Sequence, residues 1–351
     1  MADDHDPSTR QRERENALHM GPRKKACLSD PLVHHGRHFG RTVHTLTNVQ
    51  ALITNGLLRM SELAEQPEDM FTNEERREHK IFVTLLQMIP GLEECLMNGS
   101  EEEVAVVASL IQKGAASARS DDTKSLKGAI LDWITPKGQS LYPPLSRNVK
   151  VDRGFHHERT GSLLCPAGMD WSNDETKQLL RDGETVISGD QWPIFLYRNS
   201  IYDAEDPWNG LFRSGLLVSA YKHIFTSPSS VEREPKATRA GNARIHGMTK
   251  VTPASVGYVA TQVRFALSSS PVFSRTDTAT DSERFYNSIL DLFEDVDEQE
   301  EVNELLLWWN RQVFPNSSTA RRPVSKNSAL AKIRERRAAL KATAIASGSS
   351  R

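Results

Sequence analysis

Four polar side chains near the start of the chain have types and spacing suited to anion or metal binding. His34, Arg37, His38 and Arg41 recur every three or four residues, which places them on one face of a predicted helix. Arginine offers phosphate a fork of N–H donors, and histidine adds positive charge below about pH 6.5. The spacing of His34 and His38 also suits a zinc pair completed by a ligand from elsewhere. The alternative is a solvated polar face without a ligand, and the sequence favours it.

A second candidate is a glycine-containing basic segment, residues 236–252, that leads into a predicted helix N-terminus. Free amide groups and the positive end of the helix dipole favour a phosphate or carboxylate at such a position. The segment lacks the GxxxxGK[ST] pattern, so it implies no nucleotide. Neutralisation of an acidic body is the alternative explanation. The residues predicted to bind an anion here are Lys236, Arg239, Arg244, His246, Lys250 and Thr252.

A third candidate concentrates metal-capable and nucleophilic side chains within residues 156–170. No known zinc spacing is met, because the run His-His-Glu lacks the second histidine of HExxH and the segment has one cysteine. That cysteine lies in the apolar run Leu-Leu-Cys-Pro, which predicts a buried, inert thiol. We therefore predict no catalytic residue, no metal and no cofactor. The residues concerned are His156, His157, Glu158, Cys165 and Asp170.

Helix start signals recur along the chain and predict the elements that position these residues. Asp-Pro or Thr-Pro pairs stand before residues 32, 208 and 254, and Ser100 with Glu103 forms a capping box. Apolar residues then recur at helical spacing, and in the helix after Thr252 they leave Gln262 and Arg264 on the opposite, polar side. The predicted helices cover about 31–59, 72–88, 100–111, 122–133, 174–181, 206–225, 252–267, 281–292 and 302–313.

These signals predict a mainly α fold: a multi-helix globular body with an irregular Pro/Gly-containing middle segment and flexible termini. Evidence for a strand is confined to residues 192–197. The predicted organisation is a flexible segment (1–29), a helical subdomain (30–135), an irregular connecting segment packed on the body (136–204), a helical core subdomain (205–314) and a basic tail (315–351).

Composition excludes several classes of protein. The 351 residues are 38% hydrophobic and 26% charged, with a mean hydropathy of -0.52. There is no apolar run long enough for a membrane span and no signal-peptide pattern, so we expect a nuclear or cytoplasmic protein that is not secreted. Three widely spaced cysteines, Cys27, Cys95 and Cys165, indicate neither a disulfide framework nor a cysteine-based zinc site.

Charge is distributed unevenly between the body and the C-terminal tail. The whole chain has a formal net charge of -2, whereas residues 315–351 contain nine basic residues and one acidic residue. Such a tail is attracted to polyanions or to the acidic body. Its clusters also resemble a bipartite nuclear import signal, although basic clusters match such patterns by chance. The residues assigned to import or nucleic-acid contact are Arg321, Arg322, Lys332, Arg334, Arg336 and Arg337.

Several long phrases of the sequence resemble a known family. They lie at residues 154–166, 191–197, 220–228, 243–252 and 308–314. These phrases resemble a large family of fungal proteins, abundant in mushroom-forming species and known as a domain of unknown function. The resemblance covers about residues 38–314 and implies an intracellular fungal protein. It implies no activity and no site residues, and it does not extend to the basic tail.

Two hypotheses follow. The first is a non-enzymatic helical scaffold that recognises a protein partner, with a tail for nuclear import or non-specific nucleic-acid contact. The second is a phosphate- or metal-dependent enzyme, or a small-ligand binder, that uses the basic loop 236–252 together with His156 and His157. The second requires a concave pocket where the loop meets another polar segment. Partner identity and oligomeric state are not specified by the sequence.

Overall fold

The computed structural model describes residues 30–63, 70–185, 187–227, 231, 241–273, 281–315, 328–329 and 331–337. These residues form α-helices joined by short 3-10 and π-helical turns, without a β-strand, so the predicted mainly α fold is confirmed. The α-helices are α1 (Pro31–Thr42), α2 (Val49–Leu63), α3 (Asn73–Met88), α4 (Leu92–Asn98), α5 (Glu101–Ile134), α6 (Glu158–Leu164), α7 (Asp174–Asp182), α8 (Gly215–Tyr221), α9 (Asn242–Ile245), α10 (Pro253–Leu267), α11 (Ser282–Glu294) and α12 (Gln299–Val313).

The first predicted helix is two helices. Asp30 caps α1 as expected, because its carboxylate accepts a hydrogen bond from the Leu32 amide at 2.8 Å. The helix ends at Thr42, and the chain turns before α2 begins at Val49. Residues 42–47 are rich in β-branched threonine and valine, which weakens helix propensity there. The prediction of one helix over 31–59 was wrong because the apolar spacing continues across this turn.

Capping boxes begin α3 and α5. The Thr72 and Ser100 hydroxyls accept hydrogen bonds from the Glu75 and Glu103 amides, and both carboxylates return to the capping residue. Helix α5 then continues unbroken for 34 residues, so the separate helix predicted from residue 122 is its second half. The apolar pattern fades between the two halves because small residues replace large ones at 114–118.

Those small residues allow α1 to pack directly on α5. A Cβ added to Gly36 would lie 2.2 Å from the Ile111 carbonyl oxygen, and one added to Gly114 would lie 2.2 Å from the Val33 carbonyl oxygen. Either distance is far below van der Waals contact, so only glycine fits at these two positions. The two helix backbones are therefore in contact.

A buried ion pair joins the same two helices. The Arg41 guanidinium donates two hydrogen bonds to the Asp122 carboxylate, at 2.7 and 2.8 Å, and the Tyr258 hydroxyl of α10 donates to the same carboxylate at 2.6 Å. Arg41 is 2% exposed and Asp122 is 6% exposed. Burial alone lowers the pKa of Arg41, but the hydrogen bonds and charge of Asp122 outweigh it and raise that pKa above its ordinary value.

Helix α10 lies at the centre of the fold. Every residue from Ala254 to Leu267 is buried. The prediction that Gln262 and Arg264 face a polar side was wrong, because Gln262 accepts a hydrogen bond from the Thr123 hydroxyl at 3.0 Å and the Arg264 guanidinium lies 4.7 Å from the centroid of the Phe285 ring. A helix covered on all sides pairs its polar side chains internally.

Two other predicted helix starts differ from the structure. Asp206 and Pro207 precede a turn, and α8 begins only at Gly215, where the Ser214 hydroxyl accepts a hydrogen bond from the Leu216 amide. Helix α11 begins where expected, but the Asp281 carboxylate does not cap it. That carboxylate instead accepts a hydrogen bond from the Gly189 amide at 2.7 Å and so holds the middle segment against the body.

The irregular middle segment packs on the helices. Arg153 is fully buried and donates hydrogen bonds to the carbonyl oxygens of Ala266, Lys127 and Ser146 at 2.7 to 2.9 Å. The expected strand near Trp192 is instead a 3-10 turn over Ile194–Leu196. The middle segment is therefore part of the folded body.

The described residues form two main apolar cores, and α5 contributes to both. Val107 and Ile111 belong to a core formed with α1 to α4, whereas Leu126 and Ile130 belong to a larger core formed with α6 and α8 to α12. The division falls inside one helix, so the two cores are rigidly linked. The predicted subdomain boundaries stay a prediction.

The buried pair predicts a large difference between two neighbouring aspartates. We expect Asp122→Asn to lower the free energy of unfolding by about 3 to 5 kcal/mol, because it leaves the Arg41 charge buried without a counter-charge. Asp121→Asn removes an exposed partner of Arg37 and should cost less than about 1 kcal/mol. Urea denaturation followed by circular dichroism measures both, and equal losses would contradict the role assigned to the buried pair.

Candidate functional site

Two of the sequence candidates meet in the structure. His246, just after α9, stacks on His34 with ring centroids 4.1 Å apart and on His38 with centroids 4.4 Å apart. The planes of His38 and His246 differ by only 5°. The i, i+4 spacing on α1 places His34 and His38 one turn apart, so both rings reach the same partner. His246 of the basic loop thus contacts α1 and not His156 or His157.

These rings line a cavity of about 500 Å³ between α1, α3 and the end of α9. Helix α1 contributes His34, His35 and His38, and His246 lies across from them. The fold holds α1 in place through its glycine contact with α5, so the histidines are presented on a rigid element. The remaining lining residues are Thr84, Gln87, Met88 and Ile245.

The predicted cationic face of α1 is neutralised by acidic partners. Arg37 forms an ion pair with Asp121 at 2.8 Å, and Arg41 binds Asp122. Neither arginine lines the histidine cavity. Sequence analysis identified the arginines but missed both aspartates, which lie about 80 residues away on α5. The sequence signal that could have identified these partners is the adjacent pair of aspartates within an otherwise basic helical stretch.

Three of the cavity histidines, His35, His38 and His246, have lowered pKa values and are neutral at neutral pH. Burial first, and then the charges of Arg41, His35 and His34, lower the pKa of His38 to about 4. Burial first, and then electrostatic repulsion from His38, His34 and Arg41, lower the pKa of His246 to about 3. Burial also lowers the pKa of His35. Neutral imidazoles can donate and accept hydrogen bonds, but they add no positive charge to attract an anion.

The rest of the basic loop is only partly described. Lys236 and Arg239 lie outside the described residues, and Arg244 and Lys250 are exposed. The helix N-terminus is capped internally, because Thr252 and Ser255 exchange hydrogen bonds between side chains and amides at 3.0 and 3.2 Å. Anion binding by these residues stays a prediction.

The third candidate group serves local packing. The His157 ring is buried, its Nδ1 accepts a hydrogen bond from the Arg159 amide and its Nε2 contacts the Pro143 carbonyl oxygen at 2.8 Å. Cys165 is 2% exposed, and burial followed by the charge of Asp170 raises the pKa of its thiol to about 11. The expectation of a buried Cys165 agrees with this geometry, whereas His156 and Glu158 are exposed.

Across the described ranges, no group of three or more His, Cys, Asp or Glu side chains has the arrangement needed to hold a metal ion. The stacked rings explain this for the histidine cavity, because stacking places ring faces, not ring nitrogens, against one another. Within the same residues, no helix is both long and apolar enough to cross a membrane.

Part of the basic tail is described. Residues 331–337 are helical, and the Ser328 hydroxyl accepts a hydrogen bond from the Ala331 amide at 3.1 Å, as an N-cap does. Every residue from Lys332 to Arg337 is exposed, including Arg334 and Arg336. Arg321 and Arg322 lie outside the described residues.

The geometry defines an all-helical protein built on one long helix and a buried central helix, with an exposed basic segment after the last core helix. The chain matches the Family of unknown function (DUF6698) over residues 113–314, more than half of its length, and belongs to that family. The match begins within α5, so it is shorter than the resemblance over 38–314, and it excludes α1 and the tail. The fungal source stays a prediction. Searches of curated proteins and of solved structures found no match.

The lowered histidine pKa values predict a loss of stability in mild acid. Between pH 6.5 and pH 4, His38 binds a proton in the unfolded chain but not in the folded protein. The free energy of unfolding is therefore undiminished by His38 above pH 6.5 and decreases as the pH falls towards 4. At pH 5 His38 alone should cost about 2 kcal/mol. His38→Phe keeps a stacking ring without a titrating group and should reduce the difference between urea midpoints at pH 7 and pH 5. The exposed His156, changed to Phe, is the control, and an unchanged pH difference in His38→Phe would contradict the assignment.

Proposed function

We propose that the chain is a non-enzymatic helical interaction protein whose basic tail contacts polyanions. The observation that carries the proposal is the exposed run of four cations, Lys332, Arg334, Arg336 and Arg337, with Glu335 as the one acidic residue among them. Membership of the family does not contribute to the proposal, because the family carries no assigned function.

The physical basis is counterion release. A cationic segment that neutralises phosphates frees condensed counterions, so its affinity falls steeply with salt and depends little on base sequence. On a short helix, residues 332 and 336 share one side while 334 and 337 share another, so the positive charge surrounds the segment. Such a distribution suits sequence-independent contact with a phosphate backbone, and it lacks the single presenting face of a base-reading helix.

The acidic body supports the same division of roles. Arg37 and Arg41 of the body form ion pairs with aspartates of α5. The tail cations from 332 to 337 are instead exposed to solvent. A negatively charged body disfavours non-specific contact of nucleic acid outside the tail. Recognition of a protein partner by the body, and nuclear import through the tail with Arg321 and Arg322, are finer parts of this proposal.

The alternative is a phosphate- or metal-dependent enzyme, or a small-ligand binder, that uses the basic loop. The cavity between His246 and α1 supports a binder more than an enzyme, because it is concave but its stacked histidine rings contact one another. In that case a ligand would be expected to interact with the histidine rings, and binding would persist after removal of the tail charges.

The tail proposal predicts a specific loss of DNA affinity. Changing the four exposed tail cations to Gln in the full chain should weaken binding to a 20-base-pair duplex by more than tenfold at 50 mM salt and lower the slope of log K against log salt by about 3 to 4. Fluorescence anisotropy with a labelled duplex measures both quantities.

A matched control removes four exposed cations from the body. Arg76, Lys80, Lys113 and Lys137 changed to Gln should leave the affinity within about threefold of wild type, because these side chains are dispersed. An equal loss in the body variant would contradict a role specific to the tail. Unchanged nuclear distribution of the fluorescently tagged tail variant would remove the import part of the proposal.

A further inference from the structure

A second cavity, of about 420 Å³, lies on α5 and shares no described lining residue with the histidine cavity. Six α5 residues that line it recur at helical spacing, so they form one continuous face. The opposite wall comes from Lys150 of the middle segment, from Phe265 in the last turn of α10, and from residues 271–273 that follow that helix. The six α5 residues are Ala116, Arg119, Ser120, Thr123, Lys124 and Lys127.

The described lining of this cavity is basic. Arg119, Lys124, Lys127 and Lys150 contribute to it, and none of the described residues that line the cavity is Asp or Glu. The neighbouring acidic residues of α5, Asp121 and Asp122, are bound to the arginines of α1. Lys124 and Lys127 lie one turn apart on α5 and give the described part of this lining a local positive potential.

Lys150 is held in the wall of the cavity by backbone and hydroxyl acceptors. The residue is 6% exposed, and its ammonium group donates to the Phe265 carbonyl oxygen, to the Ser270 carbonyl oxygen at 2.8 Å and, more distantly, to the Ser268 hydroxyl at 3.5 Å. Its nitrogen also lies 3.3 Å from the centroid of the Phe265 ring. Burial first, and then Arg153 and Lys127, lower the pKa of Lys150 to about 7.

The other cations are partly fixed in place. Arg119 donates to the Thr45 carbonyl oxygen at 2.9 Å and lies over the Phe273 ring, and Lys127 donates to the Asn148 carbonyl oxygen at 3.0 Å. Lys124 and Ser120 are exposed at the mouth of the cavity. Carbonyl contacts orient these side chains along the wall of the cavity.

The shape and the apolar part of the wall restrict the ligand. Phe265, Val272 and Phe273 provide an apolar surface beside the cations. A phosphate group suits the cations and the Ser120 hydroxyl, whereas an attached organic body suits the apolar side. A cavity of 420 Å³ matches a small molecule, and it is too small to seat a folded partner.

We propose that the α5 cavity is a binding site for a small organic phosphate, with Lys124 and Lys127 as the principal phosphate contacts on a wall that Arg119 and Lys150 complete. No described tail residue lines the site, so the proposal does not depend on the function proposed for residues 315–351. Nor does it use the basic loop 236–252.

Calorimetric titration of the full chain with pyrophosphate and with ATP, both without added metal, tests the site. We expect saturable one-to-one binding, with ATP bound more tightly because its ring can contact the apolar wall. Lys124→Gln combined with Lys127→Gln should weaken both ligands by at least about tenfold, since each charge-assisted contact to phosphate is among the stronger hydrogen bonds. Lys113→Gln, exposed on the same helix but outside the cavity, should leave the affinity unchanged.

Two further measurements separate the cavity from other sources of binding. The full chain with Lys332, Arg334, Arg336 and Arg337 changed to Gln should bind pyrophosphate as wild type does, and a loss in that variant alone would place binding in the tail and overturn the proposal. Acetylation of lysines followed by mass spectrometry should show protection of Lys124 by ATP but none of Lys113. Absence of binding by either ligand, or equal protection of both lysines, would also overturn it.

Discussion

The direct contact of α1 with α5 is the constraint on which the rest of the structure depends. Gly36 and Gly114 let the two backbones touch, and the buried Arg41–Asp122 pair then fixes how one helix lies along the other. Tyr258 extends that pair to the central helix α10. A single carboxylate thus receives donors from α1 and α10 while belonging to α5, which links the two apolar cores through one polar group.

The same arrangement separates charge along α5. Its aspartates at 121 and 122 bind the arginines of α1, while Arg119, Lys124 and Lys127 line the cavity towards Lys150. Pairing occupies both carboxylates, and neither arginine of the pairs lines the histidine cavity. The two cavities therefore differ: the described lining of the α5 cavity is basic, whereas His35, His38 and His246 of the other cavity have lowered pKa values.

Local sequence signals predicted the helix starts well wherever the capping hydrogen bonds join neighbouring residues. The capping boxes at Thr72, Ser100 and Thr252 begin helices in the structure because their hydrogen bonds involve neighbouring residues. Failures came where tertiary contact decided the outcome. The turn after Thr42 interrupts a continuous apolar pattern, and Gln262 lies in the interior because other helices cover every side of α10.

The candidate sites show the same limit more sharply. Spacing correctly placed His34 and His38 on one face of a helix, but their partner His246 is more than 200 residues away and no local pattern joins them. One wall of the α5 cavity was predictable from the sequence, since the spacing of Arg119, Lys124 and Lys127 places them on one helical face. The opposite wall includes Lys150, which lies in the irregular middle segment. Arg153 fixes the path of that segment by donating hydrogen bonds to three backbone carbonyl oxygens. A basic helix face lines a cavity only where a second segment packs beside it. The position of that segment depends on hydrogen bonds to backbone carbonyl oxygens, which residue types do not reveal.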